Sequence, residues 1–335
     1  MRAIIASPQG PSLTELSTPA PGRGQVLVRV RAAALNRIDL MMLTGHAHGS
    51  MGGAGIPLGL EWAGDVIEVG PGVDVWQVGD RVMSPSGGAF AERAVGPAGQ
   101  LYRIPDGLSY SEAVGLPVAL QTMHDAIATN GHLQPGQSVL IQGASSGVGL
   151  MALQIAKFLG AGLVIGSSTS PERRARLTEF GADLAIDTRD ESWVDEVLAA
   201  TQGNGVDLVV DQIAGSLVNL NMRATRILGR IVNVGRLGGM TGEFDFDLHA
   251  LRRLTYVGVT FRTRSAEEVE RINQRVTQDL WPALSEGKLR LPVDSVYPFE
   301  AFRGALERMR RNEHLGKIVL EMDAGARLRR NQQRR

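Results

Sequence analysis

The segment SVLIQGASSGVGLMALQ, residues 138–154, places a run of small residues between an apolar stretch and the first turns of an amphipathic helix. A strand, a small-residue turn and a helix make the βα unit in which helix N-terminal N–H groups face the pyrophosphate of a dinucleotide. The strict Gly-x-Gly-x-x-Gly spacing is absent, but alanine and serine are small enough for close approach of a phosphate. The segment predicts a dinucleotide site formed by Gly143, Ala144, Ser145, Ser146, Gly147, Val148 and Gly149.

The next apolar stretch and its polar end, residues 164–174, indicate which dinucleotide is bound. An acidic residue at the end of this strand accepts a hydrogen bond from the ribose 2′-OH of NAD, and none precedes Glu172. Ser167 and Ser168 can hydrogen-bond a 2′-phosphate, and Arg173 can neutralise its charge. The same arginine also fits the solvated first turn of an ordinary helix. The pattern predicts NADPH rather than NADH as the cofactor.

Strand and helix patterns alternate from about residue 120 onward. Strands are predicted at 138–142, 163–166, 184–187, 207–211, 230–234 and 254–261. Helical segments are predicted near 148–160, 171–180, 191–201 and 215–227. This alternation is typical of a doubly wound parallel sheet, which binds its ligand at the carboxyl ends of the strands. Further cofactor contacts are expected from residues at or after those ends: Asp211, Val234, Gly235, Arg236, Phe261 and Arg262.

The segments on either side of this alternation predict a second domain. Short apolar runs at 26–35, 64–70 and 79–84 are bounded by Gly, Pro or Asp, as strands joined by turns require. A final strand at 317–322 is expected to return to this first part. The expected fold class is α/β, with a doubly wound Rossmann domain at residues 124–261 inserted in a mostly β domain made of residues 1–123 and 262–335.

The composition excludes several classes of function. The 335 residues have a formal net charge of zero, which gives no long-range attraction to nucleic acid or to anionic membranes. The absence of cysteine excludes disulfides, thiolate nucleophiles and sulfur-ligated zinc. No stretch approaches the ~18 apolar residues of a membrane span, and the opening MRAIIAS is too short for a signal peptide. We expect a cytoplasmic protein that acts on a small molecule.

The turn GASSGVG also occurs in short-chain dehydrogenases, but none of the four tyrosines here is followed by the lysine of their Tyr-x-x-x-Lys pair. A more specific pattern is the order of the stretches AAALNRIDLMMLTG (32–45), GLEWAGDVIEVG (59–70), VGDRV (78–82), AFAERAV (89–95), LPVALQT (116–122), QGASSGVG (142–149), DLVVD (207–211), GRIVNVG (229–235) and HLGKIVL (314–320). Together these stretches resemble the medium-chain dehydrogenase/reductase superfamily, in its zinc-independent quinone oxidoreductase (zeta-crystallin-like) branch.

This resemblance implies a GroES-like first domain and a reductase of quinones or α,β-unsaturated carbonyl compounds. Zinc-dependent relatives carry a cysteine near the position of Asn36 and a histidine where Leu60 stands, so the resemblance implies no metal site here. It also implies a cofactor contact by Lys317. The segment LTYVGVTF (254–261) corresponds to an edge strand that pairs with its copy in a second subunit, which implies a homodimer.

Two residues are candidates for a catalytic role. An amide at Asn36 can donate to an acceptor oxygen, although Asn36 equally fits a structural role where the chain enters the next segment. His46, in the glycine-rich loop 45–55, can donate a proton, although histidines in such loops are often simply exposed. Asp39 is expected to be a structural hydrogen-bonding residue. Two alternative functions remain open at this point: an NADPH-binding sensor or structural protein with little turnover, and a zinc alcohol dehydrogenase.

Overall fold

The structure, a computed structural model, describes residues 1–7, 10–43, 53 and 55–322. The chain divides into two compact units. The first contains Met1–Val118, Phe261–Trp281 and the chain from Leu291 onward, and the second contains Ala119–Thr260 and Pro282–Arg290. The main part of the second unit thus runs from residue 119 to residue 260, whereas the sequence predicts 124 to 261. The later segment Pro282–Arg290 also belongs to this unit.

The described residues form strands and helices in an order that changes from mostly β to alternating β and α. The strands are β1 (Arg2–Ile5), β2 (Ser12–Glu15), β3 (Gln25–Ala34), β4 (Trp62–Val69), β5 (Arg81–Ser84), β6 (Arg93–Pro97), β7 (Tyr102–Arg103), β8 (Ser138–Ile141), β9 (Leu163–Ser167), β10 (Leu184–Ile186), β11 (Val206–Asp211), β12 (Thr225–Asn233), β13 (Thr255–Gly258), β14 (Val293–Pro298) and β15 (Lys317–Glu321). The α-helices are α1 (Asp39–Met42), α2 (Tyr110–Ala113), α3 (Pro117–His124), α4 (Gly147–Phe158), α5 (Pro171–Arg174), α6 (Trp193–Ala200), α7 (Val218–Ala224), α8 (Phe246–Arg252), α9 (Ala266–Ser285) and α10 (Phe302–Arg311). Among these described helices, none combines the length and the apolar character that a membrane span needs.

The second unit contains a six-stranded, fully parallel sheet in the order β10–β9–β8–β11–β12–β13. The chain therefore starts in the middle at β8, builds outward through β9 and β10, and then builds in the opposite direction from β11. Ligands bind at such a reversal point, outside the carboxyl ends of the strands. Residues Val139, Leu140 and Ile141 of β8 are fully buried, as expected for a central strand covered on both faces. The predicted doubly wound sheet is confirmed.

The first unit is mostly β, as predicted. Its larger sheet has the order β14–β15–β3–β4–β5–β7, and β6 pairs with β3. Its neighbours are antiparallel except for β14 and β15, so the final strand of the described chain does return to this unit. Large side chains that include Trp62, Phe90 and Phe299 are buried in its core. This packing fixes the chain at the end of β3, at the start of β15 and just before β4, which carry the polar cluster described below.

Three local differences separate the structure from the sequence prediction. The helix predicted over 215–227 is a short 3-10 turn followed by α7. Strand β12 begins at residue 225 rather than 230, because Thr225 already pairs with Val206 of β11, ahead of a shift in register. The helix predicted near 171–180 is broken into α5 and a separate 3-10 turn at Leu177–Phe180. Helix α3 continues into a π-helical segment at Asp125–Asn130, a form that hydrophobic periodicity does not predict.

Candidate functional site

The N-terminus of α4 forms the centre of the predicted dinucleotide site in the second unit. Ser146 is its N-cap, and the Ser146 hydroxyl accepts a hydrogen bond from the N–H of Gly149 at 3.0 Å. The first N–H groups of a helix have no acceptors within the helix, and the helix dipole makes this end attractive to an anion. The predicted βα unit is thus present, with the phosphate-facing end of α4 following the carboxyl end of β8.

Glycine is required at several positions around this turn, because a side chain there would collide with neighbouring backbone atoms. A Cβ on Gly149 would lie 2.6 Å from the carbonyl oxygen of Gly143, and Gly143 itself has a positive φ of 71°. A Cβ on Gly235, in the segment after β12, would lie 2.5 Å from the carbonyl oxygen of Gln212. The backbone is therefore closely packed at the carboxyl edge of the sheet, with the small-residue surface that a bound pyrophosphate requires.

A network of buried polar side chains lies beneath the turn. Ser167 donates to Gln142 Oε1 at 2.7 Å and accepts from the N–H of Gly143 at 2.9 Å. The amide of Gln142 donates to Asn221 Oδ1 at 2.8 Å, and that of Gln212 donates to the Gln142 carbonyl at 3.0 Å. Buried polar groups need such partners, and satisfied networks hold a backbone in one conformation. The network therefore fixes the turn between neighbouring strands.

Sequence reasoning missed Gln142, Gln212 and Asn221 as parts of this site. A signal was available for the two glutamines, because each immediately follows a buried parallel strand, at the edge of the sheet where the ligand binds. The sequence also predicts that Ser167 binds the cofactor. In the structure its hydroxyl is hydrogen-bonded to Gly143 and Gln142, and its role as a phosphate ligand stays a prediction.

The end of β9 holds the residues predicted to distinguish NADPH from NADH. The hydroxyl of Ser168 donates to that of Ser145 at 2.9 Å, which ties the end of β9 to the glycine-rich turn. Arg174 donates to the Ser168 carbonyl at 2.8 Å and to Asp187 at 2.9 Å. The hydrogen bond from Arg189 lowers the pKa of Asp187 to about 2, so this carboxylate is ionised throughout the physiological range. The Arg174 side chain thus forms an ion pair with Asp187.

Asp211 supports the loop that follows β11. Its carboxylate accepts from the N–H groups of Ile213 at 2.8 Å and Ala214 at 2.9 Å. Burial raises the pKa of the Asp211 carboxyl, and these two N–H groups oppose the shift. Ala214 has φ 59° and ψ −146°, a conformation that costs a non-glycine residue roughly 1–3 kcal/mol and often occurs at functional sites. Asp211 therefore holds this loop, and its predicted contact with a cofactor stays a prediction.

The segment after β12 is attached to the same loop. The N–H groups of Val234 and Gly235 donate to the carbonyl oxygen of Asp211 at 2.7 and 3.1 Å. The amide of Asn233 donates to the Gly235 carbonyl at 3.0 Å, and Arg236 follows with a partly exposed side chain. The structure thus brings the predicted residues 234–236 together with Asp211 at the carboxyl edge of the sheet.

Two residues that the sequence predicts to contact the cofactor lie in the first unit. Phe261 and Arg262 belong to the first unit, after the chain has left β13. The guanidinium of Arg264 lies 5.3 Å from the centre of the Phe261 ring. Within the second unit, the nucleotide turn is therefore built without these two residues, and their contact with a cofactor stays a prediction.

A separate polar cluster is buried in the first unit at the position of Asn36. Lys317 donates to Asn36 Oδ1 at 2.9 Å and makes a short ion pair with Glu61. The Asn36 amide donates to the same Glu61 oxygen at 2.9 Å, and the N–H of Val118 donates to the other at 3.1 Å. The side chains of Lys317 and Glu61 are 5% and 0% exposed. Lys317, predicted as a cofactor contact, is thus engaged inside this cluster.

Asp39 holds the backbone of the same segment. Its carboxylate accepts from the N–H of Asn36 at 2.6 Å, the structural role expected from the sequence. The side chain is fully buried, and burial raises the pKa of the Asp39 carboxyl to about 7, a shift that nearby Glu61 reinforces. Gly115 gives Lys317 its space, because a Cβ there would lie 2.5 Å from Lys317 Cγ. His46, the second catalytic candidate, lies outside the described residues.

This cluster does not fit a zinc ion. Zinc requires nitrogen, sulfur or carboxylate ligands in a tetrahedral set, whereas Asn36 and Glu61 here surround the ammonium group of Lys317. In the part of the chain that the structure describes, no group of three or more His, Cys, Asp or Glu residues is arranged to hold a metal ion. No chemical step is therefore assigned to a metal.

The chain is similar to known oxidoreductases in sequence. The family profile described as an alcohol dehydrogenase GroES-like domain matches residues 22–106, and the profile described as a zinc-binding dehydrogenase matches residues 147–278. The human synaptic vesicle membrane protein VAT-1 homolog is 32% identical over 319 residues, which cover 90% of this chain and 80% of that protein.

Solved structures agree in fold over nearly the whole chain. An alcohol dehydrogenase superfamily protein from Novosphingobium aromaticivorans is 29% identical, with a TM-score of 0.86 over 96% of this chain and 99% of its own. The JamJ enoyl reductase in its apo form is 25% identical, with a TM-score of 0.83 over 96% of this chain and 98% of its own. These similarities extend across both the GroES-like and the Rossmann-like parts of the fold.

Proposed function

This chain is an oxidoreductase of the medium-chain dehydrogenase/reductase superfamily, and from that premise we propose that it is an NADPH-dependent, zinc-independent reductase of the quinone oxidoreductase branch. Its acceptor is a quinone or an α,β-unsaturated carbonyl compound. The observation that carries the proposal is the buried ion pair of Lys317 with Glu61 beside Asn36. This pair holds the Asn36 carboxamide, whose N–H can polarise a carbonyl oxygen without a metal ion.

The second unit supports NADPH as the cofactor. The closely packed turn of Gly143 and Gly149 and the first N–H groups of α4 suit the pyrophosphate. No acidic residue stands at the end of β9, and Arg173 follows in the first turn of α5. When bound, the nicotinamide supplies the hydride. Arg173 pairs with the 2′-phosphate in this proposal, while Arg174 remains bound to Asp187.

The protein must also stabilise the charge that develops on the acceptor oxygen. The Asn36 side chain is partly exposed and carries N–H groups suited to that oxygen. His46 is proposed as a second donor, which supplies a proton. The enoyl reductase among the structural relatives supports a C=C bond conjugated to a carbonyl as the acceptor.

We also propose that the protein is a cytoplasmic homodimer. Strand β13 lies at the edge of the parallel sheet and, within the described chain, pairs with β12 alone. An uncovered sheet edge invites pairing with another strand. Large apolar side chains nearby in sequence are also exposed, among them Leu228 at 67% and Phe246 at 78%. Pairing of β13 with its copy would cover this edge.

The direct test is NADPH oxidation by the purified protein in EDTA, with a panel of quinones and enones as acceptors. The proposal predicts turnover that survives chelation and that is lost in Gly149→Val, which blocks the phosphate turn. Tight NADPH binding without turnover would instead support the alternative of a cofactor-binding protein with little catalysis. Turnover that requires added zinc would support an alcohol dehydrogenase.

A further inference from the structure

The two ends of the Asn36 carboxamide have different partners, and together these fix its orientation. Lys317 is a donor only, so the atom facing its ammonium group must be the carboxamide oxygen. Glu61 is paired with that ammonium and accepts hydrogen bonds, so the atom facing its carboxylate must be the amide nitrogen. Both partners demand the same orientation, which removes the usual ambiguity of an asparagine side chain.

The burial of the three side chains differs in a way that matters for chemistry. Lys317 and Glu61 are almost completely buried, whereas Asn36 is partly exposed. The Asn36 amide nitrogen carries two hydrogens, and the hydrogen bond to Glu61 uses one of them. Asn36 is therefore the member of the cluster that is partly exposed, and its second amide N–H has no acceptor among the contacts of the described residues.

We propose that Lys317 and Glu61 are positioning residues that hold the Asn36 carboxamide in one orientation, so that its remaining N–H donates to the oxygen of the acceptor carbonyl. The ammonium group fixes the carboxamide oxygen and the Glu61 carboxylate fixes the nitrogen, which together set the direction of the remaining N–H. A donor held in place before reaction stabilises developing negative charge without reorganisation. This inference rests on the proposed reductase function and assigns to Lys317 an effect through Asn36 instead of a contact with the cofactor.

The test separates the charges of the cluster from its packing. Removing Lys317 alone would leave Glu61 buried and unpaired, which is strongly destabilising. The double variant Lys317→Met with Glu61→Gln, called the neutral pair, removes both charges and keeps the side-chain lengths and the acceptor for Val118. Because the glutamine oxygen accepts from Val118, its NH2 group faces Asn36, so the carboxamide is no longer held with its nitrogen toward residue 61. Lys317→Arg is the conservative control, because it keeps a cationic donor opposite Glu61.

The measurements are kcat, the acceptor KM and the NADPH dissociation constant for each variant and for Asn36→Ala. We expect a ~100-fold fall in kcat for Asn36→Ala, the usual effect of losing one such donor. We expect about a 10-fold fall for the neutral pair and near-normal kcat for Lys317→Arg, with the NADPH dissociation constant unchanged in all of them. Combining the neutral pair with Asn36→Ala should lower kcat no further than Asn36→Ala alone, because residues that act as a unit are not additive.

Four results would overturn the inference while leaving the reductase function intact. The first three are independent effects that multiply in the combined variant, a weakened NADPH affinity in the neutral pair, and a normal kcat in Asn36→Ala. The fourth is a neutral pair that lowers only the melting temperature, which would assign the cluster a purely structural role. Absence of turnover in the wild-type protein with every acceptor would instead overturn the proposed function, and this inference with it.

Discussion

Asp39 is a buried carboxylic acid of the first unit whose pKa makes stability depend on pH. Its carboxyl group is fully buried, and burial raises its pKa from 3.8 to about 7. Between these two values the folded protein holds a proton that the unfolded chain has lost. The free energy of unfolding therefore falls as the pH rises through that window, and the stability lost is not regained above pH 7.

Replacing Asp39 with asparagine should remove this pH dependence. At pH 5 the wild-type carboxyl is still protonated in the folded state, although part of the stability is already lost. Between pH 5 and pH 8 the wild-type protein should lose about 3 kcal/mol that the variant keeps, because the variant buries no charge and an oxygen remains to accept from Asn36. Melting curves at both pH values measure the difference, and an equal difference at both would contradict the account.

Arg173 and Arg174 are neighbours with different expected roles. Arg174 is bound to Asp187 and to the Ser168 carbonyl, whereas Arg173 is proposed to bind the 2′-phosphate. Arg173→Ala should weaken NADPH binding by ~10-fold and leave NADH binding nearly unchanged, because the lost interaction involves only the phosphate.

The matched variant Arg174→Ala should lower thermal stability without changing the preference for NADPH over NADH. Dissociation constants for both cofactors in the two variants provide the measurement. Equal loss of preference in both variants, or equal weakening of NADH, would show that the phosphate is bound elsewhere.

At the scale of elements, the fit between α4 and the turn before it determines whether the phosphate site forms. A Cβ at Gly149 would meet backbone atoms of Gly143 and Ala144, which no side-chain rotation can relieve. Gly149→Ala should therefore displace the first turn of α4, cost roughly 1–3 kcal/mol of stability and weaken NADPH binding at least ~10-fold.

Gly258→Ala is the matched control, because Gly258 lies in the same unit, has an ordinary φ, and a Cβ added there would meet no atom within 4 Å. The control should bind NADPH as the wild-type protein does. Calorimetric titration of both variants makes the comparison. Unchanged NADPH affinity in Gly149→Ala would contradict the location of the site.

The order of the elements was largely predictable, because apolar strands and amphipathic helices carry periodic signals. The strands from β8 to β13 appear where their apolar runs lie, apart from the early start of β12 at Thr225 and the early end of β13 at Gly258, where the sequence predicts a strand to residue 261. The polar cluster of the first unit was less predictable, because its contacts join residues that lie far apart in the sequence. Lys317 and Glu61 meet across 256 positions, and no local pattern indicates that a lysine in a final strand is buried.

Polar residues at strand ends show a second limit. Ser167 was predicted to face the cofactor because of its position, yet its hydroxyl binds Gln142 and Gly143. Buried polar groups must satisfy one another before they can bind a ligand. Position at the carboxyl edge of a sheet therefore predicts the neighbourhood of a site better than it predicts which hydroxyl contacts the ligand.

At the scale of the whole molecule, the edge strand β13 determines the expected assembly. Val257 lies on this strand, and lysine at a sheet edge opposes pairing with another strand. Val257→Lys should convert the proposed dimer to a monomer in light scattering coupled to size-exclusion chromatography. Val75→Lys, at a residue that is 70% exposed in the other unit, should leave the dimer intact. A wild-type monomer, or a dimer in Val257→Lys, would contradict this assembly.

Deuterium transfer is the most direct test of whether hydride transfer by this protein needs no metal. The protein is first treated with EDTA and verified to contain far less than one zinc atom per chain. NADPH carrying deuterium at the transferring position of the nicotinamide is incubated with an enone, and the product is analysed by mass spectrometry. Direct hydride transfer from the nicotinamide predicts one carbon-bound deuterium in the saturated product. An unlabelled product, or label transfer that appears only after zinc is restored, would contradict a metal-free hydride transfer.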